Sequence, residues 1–128
     1  MLSRDEVFLK MTKKTCPLSS VRLSLDQEEI VFKFQDNTEY VFGVEGDCCS
    51  YSWIEHLEMP LDINGAMLLS VNYSAPITSD HIDHDDNGEI SVYNTVFRTN
   101  HGDITLEFRN SSNGYYGGYL VVLSVPED

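Results

Sequence analysis

The stretch VRLSLDQEEIVFKFQDNTEYVFGV, residues 21–44, alternates apolar and polar side chains with a period of two. Its apolar positions form three runs, Val21, Leu23 and Leu25, then Ile30, Phe32 and Phe34, then Tyr40, Phe42 and Val44. Successive side chains of a strand point to opposite faces, so the pattern indicates half-buried antiparallel strands. Polar residues at 26–28 and 35–38 supply turn chemistry between the runs. The stretch therefore predicts a three-stranded meander.

The alternation returns in the second half of the chain. Ile90–Thr99 and Ile104–Arg109 flank Asn100–Asp103, which has the polar and glycine-containing composition of a hairpin connection. A last strand is predicted from Tyr119 to Val125. The carboxyl half therefore adds a hairpin and one further strand to the meander.

One helix is predicted at the amino end. Ser3 and Glu6 have the spacing of a capping box, in which each side chain satisfies a free amide of the first helical turn. The stripe that this helix would bury is Val7, Phe8 and Met11. We expect the helix within residues 1–16, closed by Cys16 and Pro17.

The segment Leu61–Tyr73 is ambiguous. Asp62 would cap a short helical turn, and the apolar run that follows suits either a strand or the end of a buried helix. The expected fold is therefore α+β and β-rich, a single small domain over residues 1–128 with one or two short helices.

Composition sets the class of protein. A chain of 128 residues that is 41% hydrophobic is the size of one domain and can bury a continuous core. Its apolar runs are too short for a secretory signal or a bilayer span. Three cysteines are an odd number, which favours reduced thiols over a disulfide framework. We expect a soluble protein in the cytoplasm of a host cell, without a membrane partner.

Charge is distributed unevenly. The net charge is −13, and five of the eight Lys and Arg residues lie in the first 22 positions. Residues 34–97 hold twelve Asp and Glu residues and no Lys or Arg. Direct binding to nucleic acid is disfavoured, because affinity for phosphates comes from cations on the protein. The expected partner is a basic protein surface or a metal cation.

Two adjacent cysteines stand in GDCCSYSWIEHLE, residues 46–58. Neighbouring side chains of a strand face opposite ways, so only one of Cys48 and Cys49 would enter the core. Two adjacent thiolates cannot easily coordinate one tetrahedral zinc ion. Nothing in the sequence requires Cys16 and His56 to lie near them as further ligands. Nearby acids oppose thiol activation. The prediction is one buried thiol, one half-exposed thiol, and Trp53 packed nearby.

Two motifs carry a resemblance. Asp-Cys-Cys at 47–49 precedes Trp-Ile-Glu at 53–55, and Ser-Asn-Gly-Tyr-Tyr follows at 112–116. Over Leu18–Tyr73 and Ser91–Leu123 the chain resembles a family of small uncharacterised phage and bacterial proteins with a D-C-C-x-x-x-W-I-E signature. The resemblance implies a compact α+β domain of phage or mobile-element origin and implies no activity.

The chain departs from that family's pattern at two places. Ser50 stands where an acidic residue is common after the cysteine pair. The acidic stretch at residues 78–89 is an apparent insertion.

The acidic stretch SDHIDHDDNGEI, residues 79–90, contains a partial calcium loop. Asp83, Asp85 and Asn87 hold the first, third and fifth positions, and Gly88 the sixth. The twelfth position is Asn94, which lacks the bidentate carboxylate, and no flanking helices are evident. The alternative function is therefore a module that binds calcium or another metal through this loop. The loop is also consistent with a solvated acidic surface. No other cofactor is expected.

Catalysis finds no complete motif. The chain lacks a G-x-S-x-G elbow, a Walker loop, an H-E-x-x-H helix signature and a dinucleotide glycine pattern. Ser52 and Cys49 lie four and seven residues from His56, a spacing that is common by chance. The chain is predicted not to be an enzyme.

The leading hypothesis is a small acidic binding protein that inhibits by occupancy. Carboxylates at every second strand residue stand about 7 Å apart and would occupy Lys and Arg sites meant for phosphates. The target would be a basic, nucleic-acid-binding surface of a host protein, as for a counter-defence inhibitor, and the oligomeric state is left open. The predicted contact residues are Asp80, Asp83, Asp85, Asp86, Glu89, Glu55 and Glu58, with Tyr115 and Tyr116 as aromatic anchors.

Overall fold

A computed structural model of the chain describes residues 2–46, 50–74, 77–78, 89–112 and 118–126, with the backbone alone at 77–78, 89 and 112. The elements in these residues are α1 Arg4–Thr12, β1 Leu18–Leu23, β2 Glu29–Phe34, β3 Glu39–Gly46, β4 Tyr51–Glu58, β5 Leu68–Tyr73, β6 Ile77–Thr78, β7 Glu89–Thr99, β8 Gly102–Ser112 and β9 Gly118–Ser124. No helix in the described part of the chain is long and apolar enough to cross a bilayer.

The strands form two antiparallel sheets. The first has the order β1-β2-β3-β9, and the second has the order β4-β8-β7-β5, with the short β6 also paired to β7. Helix α1 packs against β5 of the second sheet and β9 of the first. The expected β-rich single domain is confirmed, and the helical part of the α+β class is minor.

The predicted meander is β1, β2 and β3. In the register of β2 with β3, Ile30 lies opposite Phe42 and Phe32 opposite Tyr40, and all four side chains are buried. Asn37, in the turn between these strands, has a positive φ of 71°, a conformation that asparagine tolerates better than most residues. The period-two pattern therefore identified the strands and most of their buried face. Leu25 is the exception, because β1 ends at Leu23 and the Leu25 side chain is fully exposed.

Four phenylalanines connect the helix and the two sheets. The ring centroid of Phe32 lies 4.5 Å from that of Phe97 and 5.9 Å from that of Phe42. The Phe8 ring of α1 lies 5.3 Å from Phe42 and 5.6 Å from Phe97. The four rings form one core cluster between the layers.

The capping box is confirmed, and the end of the helix is corrected. The Ser3 hydroxyl accepts from the Glu6 amide, and the Glu6 carboxylate accepts from the Ser3 amide. The helix ends at Thr12, well before residue 16. The Lys14 amide bonds to the Met11 carbonyl, three residues back, so the last turn tightens and the chain leaves the helix before Pro17.

The ambiguous segment resolves as a strand, and the helical turn expected near Asp62 is absent among the described residues. Residues 63–66 form a turn instead, in which the Ala66 amide donates to the Ile63 carbonyl at 3.1 Å and Gly65 has a positive φ of 94° that a helix does not allow. Leu18 of β1 holds this turn, because its amide donates to the Ala66 carbonyl at 2.7 Å and its carbonyl accepts from the Gly65 amide at 2.8 Å.

Cations of the amino end neutralise part of the acidic middle of the chain. Lys14 Nζ lies 2.8 Å from Asp36 Oδ2, and Arg22 Nη1 lies 3.5 Å from Glu39 Oε2. Asp36 and Glu39 are therefore less available to a partner than the sequence suggests.

The ion pair between Lys14 and Asp36 makes the stability of the fold depend on pH in the acid range. Hydrogen bonds from the Lys14 ammonium and from Thr38 hold the pKa of Asp36 well below its ordinary value of 3.8. A carboxylate with a lowered pKa contributes its full stability above its unfolded pKa and loses that contribution as pH falls toward its folded pKa. We expect Asp36→Asn to lower the urea midpoint at pH 7 and to lower it progressively less as pH falls from about 4 to about 2. An equal loss at pH 7 and at about pH 2 would contradict this assignment.

Candidate functional site

Most of the predicted contact residues lie outside the described residues. They are Asp80, Asp83, Asp85, Asp86, Tyr115 and Tyr116, together with Asn87 of the predicted calcium loop and the pair Cys48 and Cys49. Glu89 is described by its backbone alone. The roles predicted for these residues stay predictions.

The strands that flank these segments show where the segments attach. Gly46, which ends β3, pairs with Gly118, which begins β9. Tyr51, which begins β4, pairs with Ser111 near the end of β8, and Glu89 pairs with the neighbouring Ser112. The cysteine segment, the acidic segment and the glycine-tyrosine segment therefore attach at the same end of the two sheets.

A buried polar cluster lies at this end. Asn110 is 0% exposed, and its amide nitrogen donates to Ser50 Oγ at 3.1 Å and to Ser52 Oγ at 2.9 Å. The Ser52 hydroxyl donates its proton to the Glu45 carbonyl at 3.0 Å, so it must accept from Asn110. This fixes the orientation of the Asn110 amide, and its Oδ1 atom has no hydrogen-bond donor within the described part of the chain.

The glycines beside this cluster have no room for a side chain. A Cβ on Gly118 would lie 2.5 Å from Ser52 Oγ and 3.0 Å from Asn110 Cβ. We expect Gly118→Ala to lower the free energy of unfolding by about 1–3 kcal/mol, because overpacking displaces a buried hydrogen-bonded group. Gly43→Ala is the control, since its Cβ would meet the flexible end of the exposed Leu123 side chain. Chemical unfolding of both variants measures the difference, and an equal or larger loss in Gly43→Ala would refute the explanation.

The outward face of β4 carries two aromatic rings and a carboxylate. Tyr51 is 58% exposed, and its ring stacks on that of Trp53 with centroids 5.6 Å apart. The Trp53 indole N–H donates to Glu55 Oε2 at 2.7 Å. Ile54 and Ser52 are the buried residues of this strand. Strand alternation gives the core position to Ile54 and leaves Trp53 half-buried on the other face, and the predicted packing of Trp53 near the two thiols stays a prediction because residues 47–49 lie outside the described residues.

The turn between β1 and β2 lies against β4. The Gln27 carbonyl accepts from the Ile54 amide at 3.0 Å, and the Glu28 carbonyl accepts from the Val44 amide at 3.1 Å. The first bond joins the turn to β4 and the second joins it to β3, so Asp26 and Glu28 lie on a turn that is bonded to both strands. Hydrogen bonds from the Ser24 hydroxyl and the Glu28 amide lower the pKa of Asp26, so this carboxylate stays ionised at neutral pH.

Four exposed carboxylates lie on the segments of β3, β4 and this turn that these backbone bonds join, and we call them the acidic edge: Asp26, Glu28, Glu45 and Glu55. Within the described residues, none of the four forms an ion pair with a Lys or Arg side chain. Glu58 is also exposed on β4, but it contacts His56 at 3.4 Å. Two of the predicted contact residues have side chains that the structure describes. Glu55 belongs to the acidic edge, and Glu58 lies beyond it.

The described residues contain no group of three His, Cys, Asp or Glu side chains able to hold a metal ion. Cys16 is half-buried and packs against the core, whereas His56 is exposed on β4. Neither supplies part of a zinc site within this portion of the molecule.

Comparison with known proteins gives two matches. The family model described as a domain of unknown function (DUF7448) matches residues 8–122. Uncharacterized protein L278 of Acanthamoeba polyphaga mimivirus is 32% identical over 111 residues, which cover 82% of this chain and 85% of that protein. No solved structure matches.

Proposed function

The chain belongs to the DUF7448 family, and we propose that it is an acidic binding protein whose acidic edge occupies a basic surface of a partner protein. The observation that carries the proposal is the group of four exposed carboxylates at one junction of strands, without a Lys or Arg partner in the described residues. Clustered like charges repel one another, and a basic partner would relieve that repulsion.

Two carboxylates of the acidic edge are held in place before binding. The indole of Trp53 fixes Glu55, and the Ser24 hydroxyl with the Glu28 amide fixes Asp26. Ordering a side chain on binding costs about 0.5–1.5 kcal/mol. Pre-ordered carboxylates avoid part of this cost, which supports a role in recognition.

The Trp53 ring contacts Glu55, one of these carboxylates, and the Tyr51 ring stacks on that of Trp53. Tyr and Trp are enriched among the residues that dominate interface energies, and an aromatic face attracts Lys and Arg side chains. The pair therefore offers aromatic anchors within the described residues, and the anchors predicted at Tyr115 and Tyr116 stay a prediction.

The proposed target is a host protein surface that normally holds nucleic acid. Arginine binds carboxylates and phosphates through the same two-pronged geometry, so an acidic edge would compete with phosphates for such a surface. The mimivirus relative supports a viral-type family. A protein of such a family could inhibit host defence in the host cytoplasm by occupying the basic surface of a host protein. This function requires no catalysis, and the chain is proposed not to be an enzyme.

The calcium alternative stays a prediction. Its ligands Asp83, Asp85 and Asn87 lie outside the described residues.

Capture from a host-cell extract tests the proposed function. The immobilised chain should retain basic proteins at about 0.05 M salt and release them at about 0.5 M, where the screening length falls to a few ångströms. Added duplex DNA should release the same proteins at low salt, because it competes for their basic surfaces. Retention that survives both treatments would contradict electrostatic occupancy.

A further inference from the structure

A second surface lies on the other edge of the same sheet. Helix α1 and strand β5 enclose an open groove of about 430 Å³, a volume within the usual range of about 300–1,000 Å³ for binding pockets. The residues that line it are Asp5, Phe8, Leu9, Thr12, Leu69, Ser70, Val71 and Tyr73.

One wall of this groove is a sheet edge. Strand β5 pairs with β7 alone among the described strands. The Ser74 amide donates to the Asn94 carbonyl of β7 at 3.1 Å. Backbone groups of an antiparallel strand alternate in direction, so those of Val71 and Tyr73 point away from β7, toward the open edge.

The apolar part of the groove is exposed. Leu9 on the helix is 54% exposed and Leu69 on the strand is 60% exposed. The register of β5 with β7 shifts between Leu68 and Ser70, so Leu69 is the extra residue of a β-bulge. Bulges on edge strands redirect a side chain, and this one leaves a leucine open to solvent beside unpaired backbone.

The groove also offers a negative charge. The Asp5 side chain is 67% exposed, with Arg4 Nε 3.6 Å from its carboxylate, and the Tyr73 hydroxyl donates to the same carboxylate at 3.3 Å. Arg4 itself lies over the Tyr73 ring, 4.2 Å from the centroid. The Asp5 side chain therefore remains accessible to a second cation.

We propose that this groove binds an extended segment of a partner protein by strand addition to β5, and that the segment alternates apolar with basic side chains. The backbone of the segment would pair with Val71 and Tyr73, and its apolar side chains would cover Leu9 and Leu69. Residues 69–73 span about 16 Å at about 3.3 Å per residue, which matches a segment of about five residues. This site is separate from the acidic edge.

Titration of the ¹⁵N-labelled chain with synthetic peptides tests the proposal. The probe is an octapeptide of alternating Val and Lys, with blocked ends. Ser-Lys and Val-Ser octapeptides are the controls for charge alone and for apolar character alone. We expect the Val-Lys peptide to bind at least about tenfold more tightly than either control and to slow hydrogen exchange at the Val71 and Tyr73 amides. Equal binding of the Ser-Lys peptide, or unchanged exchange at these amides, would overturn the proposal.

Variants separate this groove from the acidic edge. Leu9→Ser with Leu69→Ser removes the apolar contacts without adding charge and should weaken Val-Lys binding at least about tenfold, and both positions are exposed enough for the fold to persist. Glu28→Gln with Glu55→Gln should leave binding at the groove unchanged. The opposite pattern would assign the peptide to the acidic edge and refute strand addition, and hydrogen exchange in each free variant verifies that it is folded.

Discussion

Phe97→Ala is expected to lower the free energy of unfolding by about 3–5 kcal/mol. Phe97 is fully buried, and its ring contacts Phe32 of the first sheet and Phe8 of the helix. Removing it leaves a cavity at the place where all three layers meet, and the rings around that cavity lose both contacts and burial. Such a loss is a large part of the roughly 5–15 kcal/mol that stabilises a typical domain.

Urea unfolding followed by tryptophan fluorescence measures this effect. Leu25→Ala is the control, because Leu25 is fully exposed and its change should stay within about 0.5 kcal/mol. If Phe97→Ala cost less than about 1 kcal/mol, the four rings would not form a shared core.

Reversal of charge at the acidic edge is expected to reduce partner affinity at least about a hundredfold. Glu28→Lys and Glu55→Lys replace two attractions with two repulsions toward a basic surface, and like charges across an interface cost several kcal/mol. A hundredfold loss corresponds to about 2.8 kcal/mol. Binding of a captured partner at about 0.05 M salt, where charges are weakly screened, measures the loss.

The matched control is Asp62→Lys with Asp103→Lys, which changes the net charge by the same amount. Both positions are exposed and lie away from the acidic edge. Asp103 pairs with Arg98 beside the turn between β7 and β8, and the Asp62 carbonyl contacts the ring of His101 in that turn. An equal loss in this control would mean that net charge, and not the acidic edge, determines binding.

The sequence predicted the elements of the fold better than their arrangement. Period-two alternation at residues 21–44 identified β1 to β3, and the Ser3–Glu6 spacing identified the start of α1, because both patterns are local. The placement of β9 beside β3 in the first sheet depends on contacts between distant segments. No local pattern contains that information.

The same limit applies to the acidic edge. Charge alone indicates Glu55. The sequence shows Asp26 and Glu28 only as turn residues, because their position beside β4 depends on the bond from Ile54 to Gln27, which joins distant parts of the chain. The outward position of Trp53 was within reach of the sequence. Strand alternation places Trp53 on one face with Glu55 and opposite Ile54.

The two proposed surfaces occupy opposite edges of one sheet. The acidic edge borders β4, and the groove borders β5, at the two ends of the order β4-β8-β7-β5. Two partners, or two parts of one partner, can therefore bind without displacing each other.

Zero-length carbodiimide cross-linking of the chain to a captured basic protein tests the central claim most directly, because the reagent joins carboxylates only to amines in contact with them. Mass spectrometry of the linked peptides should place partner lysines on Asp26, Glu28, Glu45 or Glu55. Links confined to Asp62, Asp103 and other carboxylates away from β4 would contradict the acidic edge as the recognition surface.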